Sequence, residues 1–107
     1  MDTQNCGLDL DHLARQTMGD EELQKQVLSL FVSHMSETMP RLVSASEEAS
    51  QIAHSIKGSA RGIGAWSVAS AAEAVEKACG DRSSEILVLK GAVDRTMLEI
   101  ASLLEKE

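Results

Sequence analysis

The side chains best placed to do chemistry are His54, Lys57 and Gly58. On a helix turning about 100° per residue, Ile52, Ile56, Ser59 and Ile63 share one narrow arc that must face a core. His54 falls almost opposite that arc. Its neighbours there are Glu47, Ser50, Lys57, Gly58 and Arg61, since residues three and four apart share a surface. Glycine in a helix interior costs about 1 kcal/mol relative to alanine, so Gly58 asks for a reason. The missing Cβ lets another molecule bring a reactive group up to the outer ring nitrogen, and Lys57 sets a cation beside any arriving anion. An exposed imidazole with a lysine and a steric opening reads as a nucleophile for phosphoryl transfer, a reaction that needs mostly in-line positioning and charge neutralisation. A lone surface histidine is usually idle; the glycine and lysine beside it are what lift this one above that reading.

Five helices follow from the pattern. Leu10, Leu13, Ala14 and Met18 recur at helical spacing before Gly19, a short first helix over about residues 9 to 18 that caps one end of a bundle. Asp20 is a suitable N-cap, with Glu21 and Glu22 favourable to the helix dipole, and Leu28, Phe31, Met35 and Leu42 carry a long second helix. Pro40 predicts a kink or break within it. Ser44 and Glu47 have capping-box spacing for a third helix ending near Gly62 or Gly64. Ala65 to Cys79 makes a fourth. Ser83 or Ser84 caps the last, whose face is Leu87, Val93, Met97, Ile100 and Leu104. The fold class is therefore all-α, an antiparallel four-helix bundle with a short additional N-terminal helix.

The 107 residues fit one domain, residues 1 to 107, and 43% hydrophobic with 25% charged residues is ordinary for a globular chain. A net charge of −7 and only Phe31 and Trp66 as aromatics disfavour nucleic-acid binding and anionic membrane surfaces. No apolar run is long enough for a membrane span, the N-terminus lacks signal-peptide character, and a cytoplasmic location is expected. Cys6 and Cys79 form no CxxC pair, so no metal site is expected; the residual zinc reading would need the scattered His12, His34 and Cys79. His12 and His34 have no glycine opening and read as structural or idle. Trp66 reads either as core filler or as a docking contact.

The run Ala53-His54-Ser55-Ile56-Lys57-Gly58-Ser59-Ala60, followed by Ile63-Gly64-Ala65, resembles the signature of histidine-containing phosphotransfer (HPt) domains. The resemblance extends to Gly19-Asp20, Phe31 and Glu76. It implies a phosphorelay intermediate that accepts a phosphoryl group on His54 and exchanges it with the aspartate of a response-regulator receiver domain. Lys57 matches the phosphoryl-stabilising lysine, Gly58 the glycine that admits the receiver, and Ser59 a small position behind them. Glu76 matches the residue that orients the imidazole through Nδ1. The implied partners are a receiver domain and a sensor or hybrid histidine kinase, docking over the second and third helices with Glu47, Ser50, Gln51 and Arg61 among the contacts. No cofactor is implied on this chain; Mg²⁺ belongs to the receiver. The segment from Val43 to Gln51 is shorter than in many relatives.

With no nucleotide-binding segment in the sequence, the domain is expected to be a phosphocarrier and not a kinase. One alternative is the same domain excised from a hybrid or chemotaxis-type histidine kinase, although Met1 and the charged C-terminus favour a complete small protein. A second is a helical adaptor that never carries phosphate. A hydrolase using His54 as a base lacks a nucleophile. A monomer is the default for a bundle able to bury all its apolar stripes.

Overall fold

The computed structural model describes residues 8–44 and 48–105. Its helices are α1 (Leu10–Gln16), α2 (Glu21–Ser44), α3 (Ala49–Ile63), α4 (Trp66–Lys77) and α5 (Ser83–Glu105). No strand occurs among the described residues. The four long helices form a closed ring in which α2 packs on α3, α3 on α4, α4 on α5, and α5 back on α2, while α1 lies on α3. Met35 and Leu42 of α2, Ile56 of α3, Val68 and Val75 of α4, and Leu89 and Ile100 of α5 are the largest fully buried side chains. Alanines at 53, 60, 69, 71 and 72 are buried between them and let α3 and α4 approach closely.

Asp20 caps α2 as expected, its Oδ1 accepting from Leu23 N at 3.2 Å. Pro40 does not break the helix: α2 continues to Ser44. Burial of Leu42 and the packing of Met39 on the core stabilise the last turn and outweigh the single lost N–H bond. The expected capping box at Ser44 is therefore wrong. Ser44 closes α2, and α3 starts after Glu48, which makes no side-chain cap bond; Glu47 lies outside the described residues. A serine cap on α5 is likewise corrected. Ser83 is its first helical residue, and Asp81 Oδ1 accepts from Ser83 N at 2.9 Å and Oγ at 2.6 Å, an Asx turn entered through Gly80 with φ +74.

The end of α3 is tied to the N-terminal segment. Gly64 adopts φ +80, and the chain closes with Ala65 N donating to Ala60 O at 2.8 Å. Asp9 N donates to Gly64 O at 2.9 Å, and Asp9 Oδ1 caps α1 through His12 N. The other carboxylate oxygen accepts from Trp66 Nε1 at 2.9 Å. His12 packs edge-on against Trp66 with centroids 5.0 Å apart and donates from Nε2 to Arg61 O at 2.9 Å. The hydrogen bond from Trp66, followed by that from the His12 backbone, holds the Asp9 carboxyl below its ordinary value. Trp66 is thus a half-buried clasp for α1 and not plain core filler.

Gly64 is confined twice over, by its positive φ and because a Cβ there would stand 2.9 Å from Asp9 O. Gly64→Ala is expected to lower stability by about 1–3 kcal/mol, read as a lower Tm in thermal unfolding. An unchanged Tm would show that the clasp does not hold α1 in solution.

Candidate functional site

His54 stands in the middle of α3 with its side chain 69% exposed, on the face opposite buried Ile52, Ile56 and Ile63. Its Nδ1 lies 2.9 Å from Glu76 Oε2 on α4. A carboxylate can only accept, so Nδ1 carries the proton, and Nε2 is left as the lone-pair nitrogen of an exposed ring. Glu76 divides its two oxygens: Oε1 lies 2.8 Å from Lys57 Nζ. The Lys57 side chain is only 13% exposed, so its ammonium rests on the carboxylate and does not extend freely to solvent. The hydrogen bond from Lys57, and then that from His54, pulls the Glu76 carboxyl below its ordinary value and keeps it ionised. Lys57, Glu76 and His54 form a charge-assisted chain in which the cation orients the anion and the anion orients the imidazole.

Gly58 follows one turn after His54, and a Cβ built there would meet no atom within 4 Å. The helix therefore presents open backbone on the approach to the ring. Ser59 points the other way, its Oγ 3.4 Å from Nδ1 of His34 on α2, whose Nε2 is 3.1 Å from Ser55 Oγ. His34 is not idle: it bridges α2 to α3 directly beside the site. It lines an open groove of about 260 Å³ with Leu30, Phe31, Gly58, Ser59 and Gly62, and Leu30 on its rim is 69% exposed. Sequence reasoning passed over His34, Ser55, Leu30 and Gly62 as site residues. The spacing of Gly58 and Gly62, one turn apart, was the available signal for a bare strip on α3.

The remaining expected contacts are dispersed around the ring. Ser50 is half-buried and its Oγ donates to Glu76 O at 3.4 Å, while Gln51 and Arg61 are exposed. Lys77 pairs with Glu73 at 3.0 Å, and that carboxyl also feels Lys57 and Arg61. Glu47 lies outside the described residues. His12, His34 and exposed Cys79 each have separate surroundings, and no group of three His, Cys, Asp or Glu suited to a metal occurs among the described residues. Nor, among these residues, is any helix long and apolar enough to cross a membrane.

Glu76→Gln keeps the shape of the side chain and removes its charge. Phosphoryl transfer through His54 is expected to slow by about tenfold, the effect of weakening the charge-assisted hydrogen bond that orients the ring and offsets the positive charge it gains. In the wild type, a carboxyl depressed on folding adds stability above its unfolded pKa, and that stability is lost as pH falls through the depressed value. Acid unfolding profiles of wild type and Glu76→Gln should therefore diverge above that window and converge below it. Parallel profiles would show that the chain contributes nothing to stability.

The family model described as the Hpt domain matches residues 26–106. The crystal structure of histidine phosphotransferase ShpA from Caulobacter crescentus is similar at 25% identity and a TM-score of 0.78, covering 92% of this chain and 91% of that one. No curated protein shows significant sequence similarity to the chain.

Proposed function

The chain belongs to the Hpt domain family, and from that premise we propose that it is a phosphorelay intermediate carrying its phosphoryl group on Nε2 of His54. Hpt domains are phosphocarrier modules that work with receiver domains and kinases. The observation that carries the finer reading is the 2.9 Å contact of Nδ1 with Glu76 on a ring otherwise open to solvent. A nucleophile held by one nitrogen and free at the other can be approached in line from outside.

In the proposed step the Nε2 lone pair attacks the phosphorus of a receiver aspartyl phosphate. The N–P bond forms, the P–O bond to the aspartate breaks, and the aspartate leaves as a carboxylate with that electron pair. The ring keeps its Nδ1 proton and becomes cationic, and Glu76 compensates that charge. Lys57 holds Glu76 ionised and adds positive potential near the transferring group. The receiver supplies Mg²⁺, and Gly58 leaves space for its aspartate and metal. The reverse step uses the same atoms. The α2–α3 groove beside Gly58 is the proposed docking face, with Ser50, Gln51 and Arg61 around it and Ser59 supporting it from behind. Such a carrier works in the cytoplasm, where receivers and kinase catalytic domains reside.

The test is to mix the chain with a phosphorylated receiver and Mg²⁺ and to follow phosphate onto it. Acid-labile, base-stable label appearing as the receiver loses its own is the expected result. Absence of label across a broad panel of receivers and kinases would overturn the proposal in favour of an adaptor that binds without phosphate.

A further inference from the structure

The outer face of α5 does not match a helix with one buried side. Leu87 and Leu98 are 70% and 73% exposed and lie eleven residues, about three turns, apart on the line opposite buried Leu89, Val93 and Ile100. Gly91 lies between them, so the two leucines stand as a broken apolar ridge. Alongside runs an open groove of about 650 Å³ between α4 and α5, lined by Trp66, Ser70, Ala71, Ala74, Val88 and Arg95. Val88 is 63% exposed and joins ridge to groove. The expectation that every apolar stripe is buried internally fails here.

Charge selects what would cover this surface. The Arg95 guanidinium lies over Gly91, its Nη1 3.6 Å from where a Cβ would stand, and it has no carboxylate partner among the described residues, in a chain with seventeen acidic side chains. Asp94 sits on the ridge beside the leucines, held only by an exposed i,i+4 pair with Lys90 at 3.3 Å. Ridge and groove, and anion and cation, therefore occur side by side on one face. A two-fold axis brings each ridge over the other copy's groove and each Asp94 toward the other copy's Arg95, as an isologous interface requires.

We propose that this face is a self-association surface on which a second copy of the chain docks, Leu87 and Leu98 of each entering the α4–α5 groove of the other and Asp94 pairing with Arg95. Glu76 and Glu73 leave α4 on its α3 side, away from the groove, so both copies keep their His54 sites open. The interface stands independently of the phosphotransfer reading.

Sedimentation equilibrium of the full chain from about 10 μM to 1 mM tests it, over the range expected for a small exposed interface. The expected result is a monomer–dimer equilibrium that Leu98→Asp weakens by at least about a hundredfold. Asp94→Arg and Arg95→Asp should each weaken it by about tenfold, and the double variant should recover the wild-type constant to within a few-fold. Circular dichroism checks that each variant folds, and transfer through His54 should be unaffected in all of them. A wild type monomeric up to about 1 mM would overturn the proposal and leave the face to a different, carboxylate-bearing partner. Dimerisation insensitive to Leu98→Asp, or no recovery in the double variant, would overturn it equally.

Discussion

His54→Gln is expected to abolish acid-labile, base-stable phosphorylation completely while leaving the bundle intact. The amide nitrogen of glutamine has its lone pair delocalised into the carbonyl and cannot attack phosphorus, whereas it can still donate a hydrogen bond to Glu76. The native side chain is 69% exposed and touches the core nowhere, so Tm should remain within about 2 °C of wild type. Receiver binding should survive within a few-fold, because the apolar groove lined by Leu30, Phe31 and Gly62 is unchanged. Loss of label with binding retained separates a carrier from an adaptor. Residual label with the same acid and base stability would place the phosphate on another imidazole. The candidates, His12 and His34, each have ring nitrogens committed to α3 atoms, and label on either would refute the assignment to His54.

What could be read beforehand divides along a physical line. Periodicity within one helix depends on residues three and four apart, which is why exposed His54, the open Gly58 and the buried Ile52, Ile56 and Ile63 all followed from a wheel. Contacts between helices depend on their relative rotation and height, which no local pattern encodes. His34 meeting Ser55 and Ser59, and Lys57 turning inward onto Glu76, are of this second kind. The pairing of Glu76 with His54 was reached only through the resemblance, because it spans the turn at Gly64. Trp66 stayed ambiguous for the same reason: its partner Asp9 is 57 residues away. The missed caps have another origin. Ser44 lies in a stretch with several capping residues, and burial of Leu42 carried α2 past the position where a serine would otherwise have started the next helix. At Ser83, an aspartate two residues earlier accepts from both the backbone N–H and the hydroxyl, so the serine stands as the first helical residue and its hydroxyl is engaged outside the helix.

Gly58 offers a sharper separation of function from folding, since substitution there should move stability and transfer in opposite directions. The residue lies in the interior of α3, and a Cβ meets nothing within 4 Å, so Gly58→Ala relieves the helix-propensity penalty without a clash. About 1 kcal/mol of added stability, or roughly 4–8 °C in Tm, is the expected gain. The same methyl occupies space that a docking receiver needs, and a displacement of about 1 Å in a reaction limited by positioning can cost a hundredfold. Gly58→Ala should therefore slow transfer measurably, and Gly58→Leu by more than about a hundredfold, both with Tm at or above wild type. Stopped-flow transfer rates beside thermal unfolding would decide. A stabilised Gly58→Leu variant that transfers at the wild-type rate would mean that the receiver approaches His54 from the α4 side, over Glu73 and Lys77, and not across the bare strip of α3. Slow transfer in a stabilised protein would instead show that the glycine is kept for the partner at the expense of the helix that carries it.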